Sequence, residues 1–150
     1  MTRSLFLLAA TLMLSGCATT PQTFAFDKSR DVAAGFDKTW EGVISYFAEN
    51  NIPIATVEKD SGLIVASDER VSVDTLKKLA DCSVRHPATA QMSVNVFVRP
   101  TSASETSVQV NTRYSGTAVG LMNTTLQVDC NSNGSLEEAL LDWIQSDVTP

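Results

Sequence analysis

The sequence has few of the residues that carry most enzyme chemistry, with one histidine and three cysteines in 150 residues. It contains no Gly-x-Ser-x-Gly elbow, no glycine-rich phosphate loop, and no His-Glu-x-x-His or Cys-x-x-Cys pair. In many enzymes these motifs position nucleophiles, phosphates and metal ions. The sequence therefore predicts no catalytic residue, no cofactor and no metal ligand, and we do not expect an enzyme.

The sequence also lacks an apolar run long enough to cross a bilayer. Its longest run, Leu5–Leu14, is apolar except for Thr11 and follows a short segment that carries Arg3 and no acidic residue. Ten helical residues rise only about 15 Å, roughly half the thickness of a bilayer core. A short run of this kind behind a basic residue is typical of a secretory signal peptide, predicted here over residues 1–16.

The run ends in Leu14-Ser15-Gly16-Cys17, which resembles the lipobox of bacterial lipoproteins. The resemblance implies that a signal peptidase recognises Leu14, Ser15 and Gly16 and cleaves before Cys17. It also implies that Cys17 receives diacylglycerol through a thioether and a fatty acid such as palmitate on its amino group. Ala18 follows where lipoproteins of the inner membrane usually have Asp. The expected location is therefore the periplasmic face of the outer membrane.

Basic residues are outnumbered once the signal peptide is set aside. Residues 17–150 contain ten Lys and Arg against seventeen Asp and Glu, and the two signs are interspersed. A negative surface cannot neutralise a phosphate backbone, so we expect no nucleic-acid partner. The expected partners are the membrane, through the N-terminal lipid, and a periplasmic or other envelope protein.

Two longer helices and one short helix are predicted in a single globular domain over residues 31–150, which follows a flexible tether over residues 17–30. An apolar stripe with helical spacing predicts the first helix over residues 37–50, with Asp37 as its N-cap. A short helix is expected from Asp74, again as N-cap. The last helix begins at Ser135, which forms a predicted capping box with Glu138.

Strands are predicted between these helices. Residues 52–58 and 63–67 form a hairpin around the turn at 59–62, and alternation of apolar residues predicts a long antiparallel pair over 92–98 and 108–114. Residues 115–123 are expected to be a mobile loop before a third strand at 125–130. The predicted fold class is α+β: one antiparallel sheet with the N-terminal and C-terminal helices packed on one face.

Cys82 and Cys130 are the cysteines that remain after Cys17 is modified. Export places them in an oxidising compartment, where such a pair usually forms a disulfide. The alternative is a thiol- or metal-dependent site that uses Cys82, His86 and Cys130. Pro87 disfavours helical backbone at His86, so Cys82 and His86 are not expected on one helical face. We therefore predict the disulfide.

Three segments carry a further resemblance: Phe36-Asp-Lys-Thr-Trp-Glu-Gly-Val-Ile, Glu58-Lys-Asp-Ser-Gly-Leu-Ile and Cys130-Asn-Ser-Asn-Gly-Ser-Leu-Glu. Together they resemble small envelope lipoproteins of Gram-negative bacteria and, more distantly, the helix-grip domains of the BamC lipoprotein family. The resemblance spans about residues 36–145. It implies a helix-grip-like packing of helix, sheet and C-terminal helix.

The function expected from these features is a non-catalytic binding or scaffold module on a lipid anchor. Its expected binding surface is the groove between the sheet and the helix at 135–148. A second hypothesis is an inhibitor or immunity lipoprotein directed against a cell-wall hydrolase or toxin, because a small acidic domain suits a basic target. The third is the thiol or metal enzyme described above.

Overall fold

A computed structural model describes residues 20–84 and 86–148. The predicted signal peptide, its recognition residues Leu14, Ser15 and Gly16, and the lipidation residue Cys17 lie outside the described residues. None of the described helices is both long and apolar enough to cross a membrane.

The described residues form seven strands and three α-helices. The strands are β1 (Ser29–Val32), β2 (Ile54–Glu58), β3 (Leu63–Arg70), β4 (Ala80–Cys82), β5 (Thr89–Ser102), β6 (Glu105–Val119) and β7 (Thr125–Ser132). The helices are α1 (Phe36–Glu49), α2 (Val73–Leu79) and α3 (Ser135–Val148).

All strands join one antiparallel sheet in the order β2-β3-β5-β6-β7-β4, and β1 pairs with the first part of β6. The long strand β6 therefore has β5 along one edge, and β1 and then β7 along the other. The fold class predicted from the sequence, α+β with a single antiparallel sheet, is confirmed. The helix-grip resemblance stays a prediction.

Strict alternation along the two longest strands defines the core face of the sheet. Met92, Val94, Val96 and Val98 of β5 are buried, as are Val108, Val110 and Tyr114 of β6. The apolar stripes of α1 and α3 cover this face, with Phe47, Leu140 and Ile144 fully buried. The predicted pairing of these strands is confirmed, because burial of one face fixes the register.

The helices begin at residues other than those predicted. Gly35 precedes α1 in extended conformation, so Asp37 lies inside the first turn and is not the N-cap. Ser72 caps α2 by accepting a hydrogen bond from the Thr75 amide, in place of Asp74. Local sequence offers several capping residues within one turn, and the tertiary fold selects among them.

The start of α3 also differs from the predicted capping box. The Glu138 amide donates to the Gly134 carbonyl oxygen, and the Asn133 side chain accepts from the Ser135 amide. Gly134 has φ +88°, a conformation that favours glycine. Ser135 is therefore the first helical residue and not the cap.

The prediction of a mobile loop at 115–123 is wrong for residues 115–119. β6 continues to Val119 and pairs with both β5 and β7. Gly116 is a strand residue here, because a Cβ atom at this position would lie 2.3 Å from the Thr89 carbonyl oxygen. The glycine permits close strand approach and does not mark a loop.

The N-terminal segment contacts the domain well before residue 31. β1 begins at Ser29, and the Val110 amide donates to the Lys28 carbonyl oxygen. Further upstream, the Asn131 side-chain amide donates to the carbonyl oxygens of Pro21 and Gln22 at 3.3 and 3.1 Å. The part of the predicted tether from Pro21 onward therefore lies along the sheet edge.

Candidate functional site

The predicted cysteine pair is at disulfide distance. The sulfur atoms of Cys82 and Cys130 lie 2.09 Å apart, and the two residues are direct partners in the β4–β7 register. Pairing across neighbouring strands brings the two Cα atoms to 4.0 Å. The disulfide thus joins the three-residue strand β4 to β7, and this part of the sequence prediction is confirmed.

The structure places His86 beside the cysteines without giving it a role toward them. It lines the same surface cavity as Cys82, of about 260 Å³, and its Nδ1 atom lies 3.3 Å from Nζ of Lys77. In the disulfide neither sulfur is available as a thiolate ligand or nucleophile. Among residues 20–84 and 86–148, no group of three His, Cys, Asp or Glu side chains is placed to hold a metal ion.

A buried polar cluster, which we did not predict, joins α3 to the sheet. Glu137 is fully buried in the first turn of α3. Thr112 of β6 donates to Oε1 of Glu137 at 2.5 Å, and Ser132 of β7 donates to Oε2 at 3.0 Å. The helix N-terminus favours an acidic group at this position. Hydroxyl groups from β6 and β7 therefore supply hydrogen bonds to both oxygens of the buried carboxyl group on α3.

Tyr114 lies at the edge of this cluster. Burial, and secondarily the Glu137 carboxyl group, raise the pKa of the Tyr114 hydroxyl, while the Thr112 and Ser132 hydroxyls oppose the shift. No described side chain completes a hydrogen bond to the Tyr114 hydroxyl. Because both Glu137 and Tyr114 are buried, we assign the cluster a role in holding α3 on the sheet.

The predicted groove between the sheet and α3 is filled along most of the helix. Leu140, Leu141, Ile144 and Val148 of α3 are buried in the core against the sheet. Instead, a cavity of about 360 Å³ opens at the first turn of α3, which we call the helix-side cavity. Its lining residues come from α1 and the chain after it, from β3 and the residue after it, and from α2, β5 and α3. They are Tyr46, Asn50, Asn51, Ile52, Pro53, Arg70, Val71, Thr75, Leu79, Met92 and Leu136.

The helix-side cavity combines an apolar lining with a few polar groups. Met92, Leu79 and Leu136 supply apolar surface, and Arg70 lies exposed at the rim. Among the residues the structure describes, Arg70 makes no ion pair. Concave sites of a few hundred Å³ with this composition commonly receive ligands or partner side chains.

A larger depression lies over the sheet face that the helices leave uncovered. It measures about 640 Å³, and its polar lining comes from β5 and β6, including Gln91, Ser93, Asn95 and Arg113. These residues alternate with the buried ones, so they form the water-facing side of the sheet. The helix-side cavity is therefore the better candidate for apolar recognition.

Comparison with known proteins adds no relative from which a role could be transferred. No protein-family model matches the sequence, and no curated protein is significantly similar to it. The candidate site is therefore defined by its own residues.

Proposed function

We propose that this chain is a lipid-anchored envelope lipoprotein whose domain binds a protein partner without catalysing a reaction. The anchor is the lipid on Cys17 implied by the lipobox resemblance, and the expected location is the periplasmic face of the outer membrane. The observation that carries the binding role is the helix-side cavity, which is an apolar-lined opening on the helix-covered face with an exposed Arg70 beside it.

The chemistry of the cavity suggests what it receives. Its apolar lining, with Met92 at the sheet and Leu136 on α3, suits one or two apolar side chains of the partner. Arg70 at the rim suits an acidic group beside them, since a guanidinium group binds carboxylates with two hydrogen bonds. We therefore propose a partner segment with an apolar anchor and a neighbouring carboxylate.

The substitution Thr75→Trp tests this site because it places a large ring at the cavity lining. Thr75 is exposed in α2, and its backbone amide keeps its cap bond to Ser72 after the substitution. We expect crosslinking in intact cells, followed by purification, to recover the same partner with the natural chain and to recover at least tenfold less with Thr75→Trp. A loss of this size corresponds to about 1.4 kcal/mol of binding free energy.

Thr101→Trp is the matched control. Thr101 is also exposed, and it lies near the far end of β5 from Met92. We expect this variant to recover the partner as well as the natural chain does, and both variants should keep the unfolding midpoint. Equal recovery with Thr75→Trp and Thr101→Trp would exclude the cavity as the binding site. Recovery of a cell-wall hydrolase would favour the inhibitor hypothesis over a scaffold.

A further inference from the structure

Exposed apolar side chains are concentrated in the turn between β6 and β7. Val119, Leu121, Met122 and Leu126 are 67, 90, 100 and 51% exposed, and we call residues 119–126 the hairpin tip. Among the described residues, the other large hydrophobic side chain with such exposure is Val57 of β2. Scattered exposed apolar residues are ordinary, but four in eight residues, on both faces at one end of the hairpin, suggest contact with another apolar environment.

The hairpin tip is a hydrogen-bonded turn. The Gly120 amide donates to the Thr124 carbonyl oxygen at 2.7 Å, and both the amide and hydroxyl of Thr124 donate to the Leu121 carbonyl oxygen. Met122 and Asn123 have φ +57° and +62°, in the left-handed region that side chains seldom adopt. The turn thus holds the fully exposed Met122 side chain outward at a conformational cost.

Charge is absent around the tip. Residues 114–128 contain no Asp, Glu, Lys or Arg, although 28 of the 150 residues of the chain carry such charges. Charged side chains are costly in the apolar part of a bilayer. Threonine and asparagine side chains at 123–125 can instead hydrogen-bond at the level of lipid headgroups. This composition favours a bilayer over an ordinary solvated surface.

The N-terminal chain lies beside the C-terminal end of β7. Phe26 packs on Gly134, where an added Cβ atom would lie 2.5 Å from its ring, and Gln22 lies four residues upstream beside Asn131. From Phe26 back to Pro21 the chain passes from Gly134 to Asn131, which is the direction of Thr125. Thr125 is six strand residues, or about 20 Å, from Asn131. Cys17 is four residues before Pro21, a span of at most about 14 Å, so its lipid and the hairpin tip can meet the same bilayer without touching each other.

We propose that the hairpin tip inserts into the interface of the same bilayer that holds the lipid on Cys17. The inference rests on the proposed lipid anchor and adds a second, protein-made contact to it. One lipid attachment point leaves the domain free to rotate, whereas two contacts fix which face meets the membrane. The tip then lies in the lipid headgroup region, and β7 runs near the membrane surface.

Fluorescence quenching of the lipidated protein in vesicles tests this proposal. The purified protein is reconstituted in phosphatidylcholine vesicles that contain a lipid with a nitroxide group near the headgroup. Thr125→Cys carries an environment-sensitive dye at the tip, and Thr101→Cys carries it at the opposite hairpin as a control. We expect quenching by the nitroxide lipid at position 125 and none at position 101.

The double substitution Leu121→Ser/Met122→Ser in the Thr125→Cys protein measures the contribution of the tip. Removing two apolar side chains should lower the equilibrium constant for insertion about a hundredfold, or about tenfold each. Val57→Ser removes an apolar residue that is 51% exposed in β2, away from the tip, and should leave quenching unchanged. Because these residues are exposed, thermal unfolding should also be unchanged in all of these proteins.

The remaining outcomes separate the two proposals. Protein that floats with the vesicles but shows no quenching at position 125 has its anchor and overturns tip insertion. Protein that does not float lacks the anchor, which overturns the proposed function and the inference that rests on it. A blue-shifted dye without nitroxide quenching would place the tip against protein, such as a second copy paired through β7, and would also overturn the inference.

Discussion

Replacing both Cys82 and Cys130 with alanine should lower the free energy of unfolding by about 4 kcal/mol. The disulfide closes a loop between residues 48 positions apart, so it restricts the unfolded chain strongly. It also secures β4, whose three residues pair with β7 alone. A loss of this size is a large part of the stability of a typical domain.

Urea unfolding followed by tryptophan fluorescence measures this effect. A reducing agent should destabilise the natural protein by a similar amount and leave the Cys82→Ala/Cys130→Ala variant unchanged. The reductant is the control, because it separates loss of the disulfide from loss of side-chain packing. A natural protein that is insensitive to reduction, or that has two free thiols when native, would contradict the disulfide.

Replacing Glu137 with alanine should cost about 3 kcal/mol of unfolding free energy. The change leaves the hydroxyls of Thr112 and Ser132 without their acceptor and opens a cavity in the core. Glu137→Gln keeps the volume and one acceptor oxygen, so it should cost about 1 kcal/mol. Denaturant unfolding at neutral pH distinguishes the two values.

Glu138→Ala is the matched control for Glu137. Glu138 is the next residue in the same turn of α3, but its side chain is exposed. Its replacement should change the unfolding free energy by about 0.5 kcal/mol or less. If Glu137→Ala were as mild as Glu138→Ala, the buried cluster would not be what holds α3 on the sheet.

The sequence predicts the parts of the fold that have long periodic patterns. Alternation at 92–98 and 108–114 is sufficient to place β5 and β6 and their buried face. The apolar stripes of α1 and α3 likewise predict helices to within one or two residues at most ends. Periodicity reports burial on one face, and burial is what determines these elements.

The short strands depend on partners far along the chain. β1 and β4 have four and three residues, too few to show alternation, and they form because β6 and β7 offer edges to pair with. Glycine is common in loops, so Gly116 suggests one. In the fold β6 continues through this position, because the missing side chain lets β5 lie very close. Such contacts are tertiary and have no local signature.

The buried cluster and the cavity were also missed from the sequence. No role was predicted for Glu137, although it lies three, seven and eleven residues before Leu140, Ile144 and Val148 on the buried stripe. That spacing is the signal that could have identified it. The helix-side cavity has no such signal, because it is shaped by five separate elements that meet only in the folded chain.

Mass spectrometry of the mature N-terminal peptide, taken from the protein made in its own host, tests the lipid anchor most directly. We expect the peptide to begin at Cys17 and to carry both a diacylglyceryl group on sulfur and an acyl chain on the amino group. A chain that still begins at Met1, or a Cys17 without lipid in a water-soluble fraction, would contradict the proposed function.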